Sequence, residues 1–218
     1  MKKGKRQFNA GEFIANYFDE IKYCLNTLDK ASIERVVDIL VTAYHQGRNV
    51  FVLGNGGSAS LASHIACDLG KGTLQRVYDN TERRFRVISL TDNVAVLSAY
   101  ANDLSFEEIF IQQLRNLVET DDVVIAISGS GNSKNVIKAV RYAKSCGAKT
   151  IGFLGFRTGG KLAQLVDASV IVDSEQYGPI EDIHSILGHI IPAWLAKIKN
   201  IHDGYPNRKN RNKAVPFR

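Results

Sequence analysis

Hydrophobic and polar positions divide the chain into two regimes. At the N-terminal end apolar residues recur at helical spacing, at Phe8, Phe13, Ile14, Tyr17, Phe18, Ile21, Leu25 and Leu28. This stripe predicts an amphipathic helix. Ser32 stands as an N-cap, and a second helix beginning at Arg35-Val36-Val37 runs to about His45, closed by Gln46-Gly47-Arg48. Compact apolar runs then replace the stripe: Val50-Phe51-Val52-Leu53, Val87-Ile88-Ser89-Leu90, Val123-Val124-Ile125-Ala126-Ile127, Thr150-Ile151-Gly152-Phe153-Leu154 and Val170-Ile171-Val172. Each is short and rich in β-branched residues, with little polar alternation, as in strands buried on both faces. Helical patterns lie between them at 58–71, 106–118 and 133–146, and a last one spans about 180–199. The alternation predicts an α/β fold: a three-layer parallel sheet of about five strands flanked by helices, flavodoxin-like. With no linker or low-complexity segment inside it, the chain reads as one domain over residues 1–218: N-terminal helices at about 8–46, the sheet unit at about 48–200 and a tail at about 201–218.

In such folds ligands bind beyond the carboxyl ends of the strands, and two loops there carry unusual chemistry. The first strand runs into Gly54-Asn55-Gly56-Gly57-Ser58, immediately before a helix. Glycines let the backbone adopt positive φ, and successive N–H groups at a helix start form an anion-binding nest. The third strand runs into Ser128-Gly129-Ser130-Gly131-Asn132-Ser133, again before a helix. Its hydroxyls and helix-start N–H groups can donate several hydrogen bonds to a phosphate. The first loop has neither the Lys-Ser/Thr of a Walker A loop nor the glycine spacing of a dinucleotide fingerprint, which disfavours a nucleotide.

Composition narrows the class further. The chain is 44% hydrophobic and 23% charged over 218 residues, enough for a real core. No apolar run is long enough to span a membrane, and the basic start Met1-Lys2-Lys3-Gly4-Lys5-Arg6 leads into a stretch containing Glu12, Asp19 and Glu20 rather than a signal sequence. A cytoplasmic protein is expected. Cys24, Cys67 and Cys146 are odd in number and far apart, so buried thiols are expected rather than disulfides or a zinc knuckle. The net charge of +6 resides in residues 197–218, which read as a solvated terminus rather than a nucleic-acid surface.

The loop sequences, with Ser130-Gly131-Asn132-Ser133 followed by Val136-Ile137-Lys138-Ala139, resemble the sugar isomerase (SIS) domain. Within it they are similar to the phosphoheptose isomerases, which interconvert sedoheptulose 7-phosphate and D-glycero-D-manno-heptose 7-phosphate. The likeness extends through Gly159-Gly160-Lys161 to Glu181-Asp182-Ile183-His184 and stops before the basic tail. It implies a cytoplasmic aldose–ketose isomerase of heptose biosynthesis, a homotetramer with active sites at subunit interfaces. The wider family also contains a non-catalytic member that binds a bacterial replication initiator, and isomerases of other sugar phosphates; a carboxylate at 68 and a histidine at 189 favour catalysis.

An enediol proton transfer needs a base, an acid and a group that stabilises the developing oxyanion. His64 and Asp68 share a helix face at i, i+4, and the last helix carries Glu181, His184 and His189. By the resemblance, Asp68 and His189 are the catalytic pair, and His64, Asp68, Glu181 and His189 are the ligands of a Zn²⁺. Asp68 stands where the family has Glu, and Glu181 where it has Gln. The eight residues from Glu181 to His189 amount to about 12 Å of helical rise, a span that suggests ligands from more than one subunit. Substrate contacts are implied for Asn55, Gly56, Gly57, Ser58, Asp92, Ser128, Gly129, Ser130, Ser133 and Glu181. Asp92 fits either a sugar-hydroxyl ligand or a helix N-cap; His184 is expected to be structural.

Overall fold

The computed structural model describes residues 9–202. Phe8, the basic start and the tail from Asp203 lie outside the described residues.

Helix α1 (Ala10–Thr27) is capped by Asn9, whose side chain accepts from the Gly11 and Glu12 N–H groups. Helix α2 (Lys30–Gln46) starts two residues before the expected cap. Asp29 is the N-cap, and Ser32 is buried in the first turn, donating its hydroxyl to Asp29. Asp wins because its carboxylate also takes the Ala31 N–H. Gly47, at φ 69°, ends α2 in the left-handed conformation.

Five parallel strands follow: β1 (Asn49–Gly54), β2 (Arg86–Ser89), β3 (Val123–Ser128), β4 (Lys149–Leu154) and β5 (Ala168–Ile171), in the order β2-β1-β3-β4-β5. The connections are α3 (Gly57–Cys67) with a π turn at Asp68–Gly72, α4 (Val94–Asp103), α5 (Ile111–Leu117) and α6 (Lys134–Ser145), and α7 (Tyr177–His202) closes the fold. Two of these are shorter than the apolar periodicity suggests: α3 gives way to the π turn at residue 68, and 106–118 splits into a 3-10 turn (Phe106–Glu108) and α5.

Side-chain alternation along the strands builds a separate core on each face. Val50, Val52, Val123, Ile125 and Ile127 point toward α2, α3 and α7, while Phe51, Leu53, Val124 and Ala126 point toward α5 and α6. The expectation that every strand is buried on both faces fails for β2. It lies at the sheet edge, and Ile88 is 42% exposed. Helix α1 packs on α7 through Cys24 and Ile183, and Tyr17 and Tyr23 donate to Asp182 (2.7 Å) and Asp173 (2.6 Å). The Asp182 carboxylate pushes the Tyr17 phenol up to about 12. Of the thiols only Cys24 is buried; Cys67 is exposed and Cys146 half-buried, because both stand at helix ends rather than on inward faces.

Lys199 on α7 and Glu82, in the segment between the π turn and β2, form a wholly buried ion pair at 3.3 Å. Burial alone would raise the Glu82 carboxyl, but the Gln75 and Arg76 N–H donors and the Lys199 ammonium outweigh it and hold the group below its usual range. Among the described residues no helix is long and apolar enough to cross a membrane.

Candidate active site

The strand order reverses between β1 and β3, which are hydrogen-bonded neighbours with Gly54 opposite Ile127. Their carboxyl ends therefore emerge side by side at the switch point, where open α/β sheets bind ligands. Both Gly/Ser loops leave from there. Gly56, at φ 57°, turns the chain from β1 into α3. Gly131, at φ 61°, does the same before α6, and a Cβ there would lie 1.8 Å from the Gly159 carbonyl oxygen. The second loop is thus pressed against the turn after β4. Asn132 ties the two together, accepting from the Lys161 N–H at 3.2 Å and donating to the Ser130 carbonyl at 2.9 Å.

Within that loop the Ser128 hydroxyl accepts from the Gly131 N–H at 3.2 Å and lies 3.5 Å from the Ser133 hydroxyl. Ser133 is the N-cap of α6, yet its side chain makes no capping bond. Ser130 accepts from the Asn132 N–H at 3.3 Å, and Gly129 passes beneath the Tyr177 ring. In the first loop Ser58 is buried, and Asn55 and Asn135 exchange hydrogen bonds across the switch point, 2.9 Å each way. Sequence reasoning missed Asn135. It looks like an ordinary second residue of a helix, and nothing local marks its partner 80 positions away.

Asp92 is not a cap: Asn93 caps α4 by accepting from the Val96 N–H at 3.1 Å. The Asp92 carboxylate instead accepts from the hydroxyls of Ser63, one residue before His64, and Ser89. Neither serine was singled out from the sequence.

Three of the four expected metal-binding side chains converge within this single chain. His64 and His189 approach Nε2 to Nε2 at 2.8 Å, and the Asp68 Oδ2 lies 3.3 Å from the first and 4.0 Å from the second. Helices α3 and α7 run side by side in the same direction, with Gly188 against Leu61 and Ile65, and this brings the histidines together. Asp68 begins the π turn, an irregularity that recurs at functional sites. Glu181 does not join them. It sits two turns earlier on α7, with both carboxylate oxygens 3.1 Å from where a Gly57 Cβ would be, beside the first loop. His184 is structural: it is fully buried, it bonds the Leu154 carbonyl through Nε2 at 3.0 Å, and burial pushes it down to about 4, so it is neutral at pH 7.

The donor set suits a divalent metal. Ligand atoms around tetrahedral zinc with bonds of 2.0–2.1 Å stand roughly 3.3 Å apart, and the three observed separations straddle that value. Two imidazoles and one carboxylate, partly exposed, are the composition of a catalytic rather than a structural zinc site.

A doubly wound sheet with paired phosphate-type loops at its switch point defines a protein of the SIS class, and a SIS domain model matches residues 16–155. Phosphoheptose isomerase of Helicobacter pylori (strain P12) is 39% identical over 181 residues, 83% of this chain and 90% of that protein. Phosphoheptose isomerase of Aquifex aeolicus is 40% identical over 173 residues, 79% and 87% of the two chains. The structures of phosphoheptose isomerases from Neisseria gonorrhoeae and Francisella tularensis superpose with TM-scores of 0.76 and 0.78 at 26% identity, covering 86% and 87% of this chain and 96% and 100% of theirs. The chain belongs to the phosphoheptose isomerase family and is an isomerase.

Proposed function

We propose that the protein interconverts sedoheptulose 7-phosphate and D-glycero-D-manno-heptose 7-phosphate by enediol proton transfer. The observation that carries this is the distance between the two halves of the site. The loops gather at the start of α3 and the histidine–carboxylate cluster lies at its end. Seven residues of helix separate Gly57 from His64, about 10 Å of rise. From the phosphorus of an extended heptose 7-phosphate to C2 is seven bonds, roughly 9 Å at about 1.3 Å of advance per bond. A triose phosphate bound by the same loops would leave its carbonyl several ångströms short.

On this reading the hydroxyls of Ser128, Ser130 and Ser133, with the backbone of 55–58, hold the phosphate. Asp92 and Glu181 accept hydrogen bonds from the sugar hydroxyls. Asp68 takes the proton from one carbon, and His189 serves the neighbouring oxygen as acid and base. Holding phosphate and reacting carbons at fixed points converts a flexible chain into a near-attack geometry. His64, Asp68 and His189 would hold a Zn²⁺, with Glu181 outside the set in this chain; bound there, the ion would polarise the carbonyl oxygen and stabilise developing negative charge.

The same proposal makes the protein a cytoplasmic homotetramer. In support, α1 and α7 present large apolar side chains to solvent, Phe13 at 69%, Phe18 at 59% and Trp194 at 49%, a pattern that marks interaction surfaces. Light scattering that finds a stable monomer at micromolar concentration contradicts the tetramer. The activity is tested by incubating the protein, with and without Zn²⁺, with sedoheptulose 7-phosphate and a panel of triose to hexose phosphates. Turnover of the heptose phosphate alone supports the reading, and preference for a shorter sugar overturns it.

A further inference from the structure

A large cavity lies away from the histidine cluster, on the other face of the sheet. It has a volume of about 570 Å³ and runs along the outer side of α6, between that helix and the segment leading into α5. Lys134, Lys138 and Arg141 line it at i, i+4 and i+7, on one face of α6, and Lys161 closes the end nearest the second loop. Two of these cations are partly neutralised. Lys134 pairs with Glu107 at 3.1 Å, and Lys138 with Glu108. Arg141 and Lys161 are exposed and make no ion pair among the described residues. The apolar part of the wall is Ile111, Ile137 and Tyr142, whose ring is held from behind by Arg115 at 5.8 Å.

We propose that this cleft is a second binding site, for a ligand carrying two phosphoryl groups joined to an organic body. The charge is the first reason. Four cations against Glu107 and Glu108 leave the wall positive by two charges, and only the two cations without acid partners can face a ligand without first breaking an ion pair. A guanidinium and an ammonium suit two phosphoryl groups, the first bidentate and the second as a point charge. Size is the second reason, since small-molecule sites commonly enclose roughly 300–1,000 Å³. An inorganic phosphate would fill a small part of this one, while a diphosphate with a sugar or nucleoside attached would also cover Ile111, Ile137 and the Tyr142 ring. Position is the third. The cleft follows α6, whose N-cap is Ser133 of the phosphate loop, so a bound ligand would contact the helix that anchors that loop and alter the hold on substrate phosphate. The site is independent of the heptose assignment.

The test is calorimetric titration of the full-length protein at 150 mM salt with ADP, with pyrophosphate and with inorganic phosphate. Saturable binding of ADP is expected, with at least tenfold weaker binding of inorganic phosphate, and it should persist when sedoheptulose 7-phosphate is saturating. Arg141→Glu should weaken ADP at least tenfold and leave turnover without ADP within twofold of the parent. Lys30→Glu, the same charge change on α2, should leave ADP affinity unchanged. No saturable ADP binding, displacement of ADP by the sugar phosphate, or equal losses in the two variants would each overturn the proposal.

Discussion

Asn55 and Asn135 clasp one another, each side-chain amide donating to the other's carbonyl oxygen at 2.9 Å. One leaves the end of β1 and the other opens α6, so the pair joins the two phosphate-type loops into one unit. Asn135 also accepts from the Val136 N–H. Asn135→Leu should leave the half-buried Asn55 without its buried partner and cost about 1–3 kcal/mol of stability. KM for the sugar phosphate should rise more than kcat falls, because the lesion lies at the phosphate end. Denaturant titration and steady-state kinetics check it; an unchanged KM would show that the loops hold their places unaided.

The chemistry should separate from binding. Asp68→Asn and His189→Ala should each lower kcat by at least about 10²-fold while the Kd for phosphate stays within a few-fold of the parent. Asp68→Glu, which keeps a carboxylate with one methylene more of reach, should retain far more activity than Asp68→Asn. Full turnover in Asp68→Asn would remove that residue from the mechanism.

Metal dependence is read from His64, which lies 2.8 Å from His189 and 3.3 Å from Asp68. His64→Ala should bind zinc at least tenfold more weakly than the parent, measured by equilibrium dialysis, and added Zn²⁺ should restore part of its activity. A variant that matches the parent in both respects, and a parent insensitive to chelators, would leave the cluster to act by proton transfer alone.

Gly56 and Gly131 both have positive φ, but a Cβ on Gly56 meets nothing within 4 Å, whereas one on Gly131 meets the Gly159 carbonyl at 1.8 Å. Gly56→Ala should therefore cost only the conformational penalty of a side chain at positive φ, about 1–3 kcal/mol. Gly131→Ala should cost more than that and lower Tm correspondingly, since backbone of the neighbouring turn must move. Equal Tm values for the two variants would contradict the close approach of the loops.

His184 sets an acid limit on stability. Its folded value of about 4 lies below the ordinary 6.5, so between these pH values the unfolded chain binds more protons. Stability should be fully present above about pH 6.5 and fall as the pH drops toward 4, by up to about 3 kcal/mol. His184→Gln, which can still donate to the Leu154 carbonyl, should flatten that slope in denaturation curves measured from pH 7 to 5. A slope equal to the parent's would assign the acid sensitivity to other groups.

Much of the fold was written in local pattern. Strand runs such as residues 123–127 are apolar enough to be buried on both faces, and the glycine positions of the two loops fixed where the chain turns. Those features depend on neighbours a few residues apart, and a sequence displays them directly. The helix irregularities were not legible: the apolar periodicity continues past residue 68, and only packing of α3 against α7 and β2 accompanies the change to a π turn. The site divides in the same way. His64 and Asp68 share a face by spacing alone, whatever the rest of the chain does. That His189 meets them, that Glu181 stays behind over Gly57, and that Asn135 clasps Asn55 were decided by tertiary structure. Each depends on where two distant elements dock, and docking is set by the two cores as a whole, not by the residues that meet.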